Sequence, residues 1–336
     1  MDVVELARSF VDIPSPTGDE GRMAEASAAV LRDAGFDVQL LGVAAGRANV
    51  LATRAAPRVL LCTHLDTVPP HVPAGEDEDW LYGRGACDAK GIVAAMTVAA
   101  ASLAGEGVLD VGLLFVVGEE TDSIGAKHAN AELSLPSVRY TVVGEPTDSR
   151  CARAQKGGLK FTLRVRGTAA HSGYPEQGRS AIGALLDVLQ AVRGADWGED
   201  AELGRGTANI GTVRGGRAAN VVPDQAEAEI HVRIVDSVEA TRERIAALVA
   251  RAALPTEWTE ETSNDPQRLL VLPGVPETVV AFNSDVAYLQ RFGPRILVGP
   301  GSILVAHGPG EKVAKAELRA AVDLYRRAVL HLRALP

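Results

Sequence analysis

Three stretches of this chain are largely apolar and about one strand long: 58–63, 111–117 and 139–143. A strand with one wet face alternates. A strand without a polar face must be covered on both sides, as in a parallel sheet flanked by helices. Segments with apolar residues at helical spacing surround these runs, over 2–12, 19–35, 90–104 and 123–131. Two further β-rich runs, 37–41 and 48–53, precede the first. The alternation predicts an α/β unit with a mostly parallel central sheet and helices on both faces. Gly35 is placed to end the second helix, and Thr17 or Asp19 to cap its start. The stretch 71–87 reads as a loop.

The pattern changes near residue 153. Lys160 to Arg166 alternates apolar with polar, the mark of a strand with one exposed face. Strands fit 207–214, 224–235 and 256–261, and helices fit 178–193 and 236–252. The order β-α-β-β-α-β predicts a two-layer, ferredoxin-like α+β insert. After a loop at 263–268, a strand at 269–271, a helix at 283–292, a strand at 295–298 and a helix at 311–333 return to the first style. A chain of 336 residues is too long for one compact core. The expected division is a split domain, 1–153 and 265–336, around an insert, 154–264.

Each apolar strand runs out into carboxylates or a histidine. The first leads to His64-Leu65-Asp66, the second to Gly118-Glu119-Glu120, and the third to Gly144-Glu145. Asp88 stands just ahead of the 90–104 helix, and His307 comes after Gly299-Pro300-Gly301-Ser302 in the C-terminal segment. Ligands of open α/β sheets bind beyond the carboxyl ends of the strands, so these loops are expected to converge. Carboxylates crowded into one cleft repel one another unless cations lie between them. A two-metal site takes a bridging carboxylate, with a histidine and a second carboxylate for each ion. His64, His307, Asp88, Glu120 and Glu145 match that count and leave Glu119 free as general base. Imidazole with carboxylate oxygen suits zinc, cobalt or manganese. Asp66, two residues beyond His64 on the same strand face, is placed to hold the second ring nitrogen. Taken singly, Glu119-Glu120 could open a helix, Asp88 could cap one, and Glu145 could sit in an exposed turn. Their coincidence at successive strand ends carries the metal reading. Cys62 and Cys87 read as packing, and His71, His128 and His231 as ordinary histidines.

Other classes find little support. The net charge is −9 with no basic run, which argues against nucleic acid. No apolar stretch reaches the length of a membrane span; Ala94 to Leu103 comes nearest and reads as a buried helix. The first residues lack a basic, then apolar, leader, and three scattered cysteines suit a reducing compartment, so a cytoplasmic location is expected. Neither Gly-x-Ser-x-Gly nor a phosphate-binding glycine loop occurs.

The combination resembles the zinc-dependent amidohydrolase family of acetylornithine deacetylase, succinyl-diaminopimelate desuccinylase, aminoacylase and related carboxypeptidases. The matching motifs are His64-Leu65-Asp66-Thr67-Val68-Pro69, Gly83-Arg84-Gly85 through Asp88-Ala89-Lys90-Gly91, Gly118-Glu119-Glu120, and Gly144-Glu145-Pro146-Thr147. Gly167-Thr168-Ala169-Ala170-His171-Ser172, Asn220-Val221-Val222-Pro223-Asp224, and Gly299 to Ile303 with Ala306-His307 complete the set in the family's order. The resemblance implies two divalent ions, with His64, Asp88 and Glu145 on one and Asp88, Glu120 and His307 on the other. Asp66 would orient His64, and Glu119 would move the proton from water to the leaving amine. The insert would form a homodimer, and His171 would stabilise the oxyanion in the partner's site. Asn220 and Arg233 look like the family's substrate-binding pair, and Ser302 is counted with them.

The C-terminal motif, with Glu311 after the histidine, is most like acetylornithine deacetylase. That implies hydrolysis of an N-acyl amino acid, N-acetyl-L-ornithine first, in arginine biosynthesis. Succinyl-diaminopimelate desuccinylation, a dipeptidase or aminoacylase, and release of lysine or ornithine from an acidic amino-group carrier protein are the alternatives. Arg150, Arg153, Lys156 and Lys160 are candidates for a rim facing such a carrier. A metal-bound binding protein is the non-enzyme alternative, and an intact Glu119 speaks against it. The chain departs from the family at Phe282-Asn283-Ser284-Asp285, where a Gly/Thr-Ser/Thr-acid turn is usual, and it is shorter than most members.

Overall fold

The computed structural model describes residues 1–335. In chain order its main elements are α1 (Val3–Val11), α2 (Gly21–Asp33), β1 (Asp37–Ala44), β2 (Arg47–Thr53), β3 (Val59–His64), α3 (Lys90–Gly105), β4 (Val111–Val116), α4 (Ile124–Glu132) and β5 (Tyr140–Val143). Then come β6 (Cys151–Gln155), β7 (Gly157–Arg166), α5 (Ala181–Gly194), β8 (Thr207–Gly215), β9 (Gln225–Ile234), α6 (Val238–Val249), β10 (Thr256–Asn264), β11 (Arg295–Leu297) and α7 (Lys315–Ala334). Contacts divide the chain into two compact units. One holds Met1–Arg153, Arg268–Thr278 and the chain from Ser284 onward; the other holds Ala154–Gln267 and Val279–Asn283.

The first unit is built on a nine-stranded sheet whose path begins β1-β2-β4-β3-β5-β11-β6. β4, β3, β5 and β11 run parallel, while β1, β2 and β6 are antiparallel to their neighbours. The sheet is therefore mixed, and parallel at its centre. Every residue of β3 and β4 is buried, as continuous apolar runs require. α3 is the covering element: it is buried over most of its surface and packs against α1 and α7. Among the described residues no helix is long and apolar enough to cross a membrane.

The second unit is a four-stranded antiparallel sheet in the order β8-β9-β7-β10. With α5 and α6 it gives the expected β-α-β-β-α-β order. Alternate residues of β9, namely Ala226, Ala228, Ile230, Val232 and Ile234, turn inward and share a core with Leu185, Val188 and Ile245 of the helices. Their neighbours Glu227, Glu229, His231 and Arg233 turn to the other face.

Four local expectations need correction. The stretch 71–87 is not all loop: Gly75–Glu76 and Trp80–Tyr82 pair antiparallel, and Lys312–Ala314 joins them. The expected helix at 283–292 is two short 3₁₀ turns, Asp285–Tyr288 and Gln290–Phe292. Ser284 is extended (φ −147°, ψ 174°) and Leu289 leaves the helical region (φ −106°, ψ 31°), so the two turns are not joined into a cooperative helix. At 269–271 there is no strand: the Leu269 N–H bonds to Arg153 and the Leu270 N–H to Arg295, on two different strands. Neither Thr17 nor Asp19 caps α2. Glu20 occupies the cap position without capping, because its carboxylate is taken by Arg47 in a two-point ion pair of 2.8 and 2.6 Å. Gly35 does come after α2 in the left-handed conformation, φ +82°.

Candidate active site

Because β4, β3 and β5 are parallel neighbours, their carboxyl ends open on one edge. β3 delivers His64 there, β4 leads into Gly118-Glu119-Glu120, and β5 leads into Gly144-Glu145. The loop before α3 brings Asp88, and the segment after Ser302 brings His307. His64 is 1% exposed, and Asp88 and Glu145 are each 4% exposed.

Asp88 stands between two imidazoles. Its Oδ1 lies 3.0 Å from His64 Nε2, and its Oδ2 lies 3.3 Å from His307 Nε2. Glu120 Oε2 approaches His307 Nε2 to 2.9 Å. Ligand atoms of His64, Asp88 and Glu120 all fall within 4.8 Å of one another, and so do those of His64, Glu119 and Glu145. All six residues singled out for the centre are therefore brought together. Glu145 Oε1 is buried and has no hydrogen-bond partner.

The charges of this cluster are tightly linked. Burial, with the nearby Glu145 charge, pushes the Glu119 carboxyl well above the usual range, and burial does the same to Glu145. Burial would raise Asp88 too, but His307 and His64 hold it well below. Asp88 and Glu120 in turn push His307 up to about 10. Burial would lower His64, yet Asp66 and Asp88 outweigh it and keep it raised. Mutually raised carboxylates, an unpartnered buried oxygen, and two imidazoles aimed at opposite oxygens of one aspartate fit a pair of divalent cations.

Asp66 stands beside His64 and also holds the next loop. His64 Nδ1 lies 2.9 Å from the Asp66 main-chain carbonyl and 3.5 Å from its carboxylate. The carboxylate also grips the loop after β4. Its Oδ1 accepts from the N–H groups of Gly118 at 3.0 Å and Glu119 at 3.1 Å, and its Oδ2 from Glu120 at 3.2 Å. The Thr17 hydroxyl donates to Oδ2 at 2.8 Å. Gly118 takes φ +81°, a turn that points both neighbouring N–H groups at one acceptor.

The remaining candidates are placed differently. Ser302 is in the first unit, in an isolated bridge to Thr147, and its carbonyl accepts from the Cys87 thiol at 3.8 Å. His171, Asn220 and Arg233 belong to the second unit. His171 Nδ1 accepts from the Gly173 N–H at 3.0 Å, which leaves the proton of the neutral ring on Nε2. The Asn220 carbonyl accepts from the neighbouring Ser172 N–H at 3.0 Å. Arg233 lies on β9 opposite Gly158 and Thr207.

Sequence reasoning missed Asp285 as a member of the charged cluster. It is 1% exposed, neither carboxylate oxygen has a hydrogen-bond partner among the described residues, and burial pushes its carboxyl up to about 7 against the opposing pull of His64. The signal was the acid that ends Phe282-Asn283-Ser284-Asp285, the segment set against the family's acid-ending turn.

A peptidase dimerisation domain model of the M20 family matches residues 153–257. A peptidase M20 domain-containing protein of Schizosaccharomyces pombe is 36% identical over 344 residues, covering 98% of this chain and 84% of the relative. The chain belongs to the M20 peptidase family. Membership places it among metal-dependent amide hydrolases. A "probable carboxypeptidase" of Aspergillus clavatus is 38% identical over 97% of this chain and 82% of its own length. Among solved M20-like folds, a tripeptidase of Staphylococcus aureus superimposes with a TM-score of 0.82 at 20% identity, covering 99% of this chain and 98% of that one. An M20 family metallo-carboxypeptidase of Sulfolobus solfataricus gives 0.80 at 17% identity, covering both chains completely at 100%.

Proposed function

We propose that this M20 chain hydrolyses the amide bond that joins a C-terminal amino acid to a short peptide or acyl group. The observation that carries the proposal is the Asp88 carboxylate, which offers one oxygen to His64 and the other to His307. That arrangement suits a carboxylate bridging two divalent ions. His64 with Glu145 would complete one ion's ligands, and His307 with Glu120 the other's. Zinc, cobalt and manganese all suit these donors. When bound, the ions supply Lewis acidity and make water a competent nucleophile near neutral pH.

The chain's own residues do the rest. Glu119, raised by burial and by Glu145, is suited to take a proton from the attacking water and return it to the departing amine. His171 carries its proton on Nε2 and would donate it to the oxyanion of the tetrahedral intermediate. Arg233 would fork onto the free carboxylate of the substrate, with Asn220 and Ser302 as further contacts. A homodimer formed through the second unit, with His171 acting in the partner's site, is part of the proposal. The dimerisation-domain match and the exposed β8 edge, where Val213 is 52% exposed, support it. Three free, buried cysteines suit a cytoplasmic enzyme.

Relatives more than 30% identical bear the carboxypeptidase name, which favours release of a C-terminal residue. A second reading, N-acetylornithine deacetylation, rests on the Gly299–Ile303 and His307 motif. One panel separates them: N-acyl amino acids including N-acetylornithine and N-succinyl-diaminopimelate, dipeptides, and a lysine-charged acidic carrier protein, each with added zinc, cobalt or manganese. Turnover of blocked dipeptides above the rest supports the first reading, and preference for acetylornithine the second. No hydrolysis with any ion would leave a binding protein.

A further inference from the structure

The loop that carries Asp88 and the loop that carries His307 are joined beneath the cluster by one buried ion pair. Arg84 and Glu311 are each 2% exposed, and Arg84 Nη1 donates to Glu311 Oε2 at 2.5 Å. Burial of two such charges is costly unless each is fully used. Both are. Glu311 Oε1 accepts three main-chain N–H groups of the Asp88 loop, from Gly85 at 2.9 Å, Cys87 at 3.3 Å and Asp88 itself at 3.2 Å. Arg84 donates to the main-chain oxygens of His307 and Gly308, each at 3.3 Å, and to Pro70 at 3.3 Å.

The His307 contact matters most. His307 has φ +64°, a left-handed conformation that a non-glycine residue keeps only when its surroundings hold it. The guanidinium on its carbonyl, and on the next one, supplies that hold. Glu311 thus sets the backbone under the shared aspartate, and Arg84 sets the backbone under the histidine facing it.

We infer that Arg84 and Glu311 are positioning residues for the metal centre, fixing the Asp88–His307 separation without touching an ion. The inference rests on the ligand assignment proposed above. Partners behind metal ligands commonly govern affinity by about ten- to a hundred-fold.

The test is titration of the full-length, metal-stripped protein with Zn²⁺ against a chromophoric chelator, with circular dichroism of the same samples. Arg84→Met, Arg84→Lys and Glu311→Gln are compared with His307→Ala. Arg84→Met is expected to weaken Zn²⁺ about ten-fold or more, and Glu311→Gln about as much. Arg84→Lys, which keeps the charge but not the fork, should fall between the parent and Arg84→Met; it also serves if Arg84→Met fails to fold. Zn²⁺ affinity within two-fold of the parent in folded Arg84 and Glu311 variants, while His307→Ala loses an ion, would overturn the inference and leave the ligand assignment standing. If His307→Ala also binds Zn²⁺ unchanged, the ligand assignment fails and the inference fails with it.

Discussion

His307 Nε2 lies 2.9 Å from Glu120 Oε2, although 187 residues separate the two. The contact closes the cluster. It joins the loop after β4 to the C-terminal segment, and Asp88 joins the same histidine to His64.

Ligand removal should therefore be graded. His307→Ala is expected to lose one ion and Asp88→Ala to lose tight binding of both, since Asp88 offers one oxygen to each imidazole. Metal content by plasma mass spectrometry after dialysis checks this. Equal loss in both variants would argue against a bridging role for Asp88.

Stripping the ions leaves the buried carboxylates of Glu119 and Glu145 crowded together, with their pKa values raised. A chelator should abolish hydrolysis and lower the melting temperature, and both should return on adding zinc, cobalt or manganese. Activity that persists at metal contents below a few hundredths per chain would speak against metal dependence.

Asp66 is expected to matter chiefly through the Gly118–Glu120 loop. Asp66→Ala leaves three N–H groups without their acceptor, each costing about 1–3 kcal/mol where water cannot reach. Turnover should drop by orders of magnitude, and Thr17→Val, which removes a single donor, should cost about 1 kcal/mol of stability. Denaturant unfolding measures the stability losses, and steady-state kinetics the loss of turnover. Parental turnover in Asp66→Ala would contradict this role.

Much of this site was legible in the sequence because strand ends and acids coincide in number. Apolar runs at 58–63, 111–117 and 139–143 read as doubly covered strands, and the loops at the carboxyl ends of parallel strands share an edge. The partners of those acids were not legible. Asp66 reads as a contact to His64 from its spacing; its carboxylate also accepts from N–H groups some fifty residues away, and no local pattern encodes that. Thr17 and Asp19 looked like helix-start residues because caps use the same residue types. The partners of Thr17 and Glu20, which are Asp66 and Arg47, are set by tertiary packing. The 283–292 segment read as one helix, but its backbone leaves the helical region at Leu289.

His231, in the second unit, offers a separate pH test. Burial, with Arg233 on its own strand and Lys160 opposite it, pushes its pKa down to about 3 from an ordinary 6.5. The unfolded chain therefore takes up the proton first as pH falls. Its contribution to stability is complete above about pH 6.5 and is lost progressively towards pH 3. His231→Gln should flatten the fall of melting temperature between about pH 7 and 5 relative to the parent, to about the extent of one titrating group. Parallel curves would mean that His231 is not held neutral.

Glu119→Gln is the most direct test of the central claim. Glutamine keeps the shape and the metal ligands but cannot take a proton from water. Metal content and turnover of the best panel substrate should be measured on one preparation. The expected result is an unchanged metal content with turnover reduced by about a hundred- to ten-thousand-fold. Turnover within a few-fold of the parent, at full metal content, would contradict the assignment of Glu119 as the base.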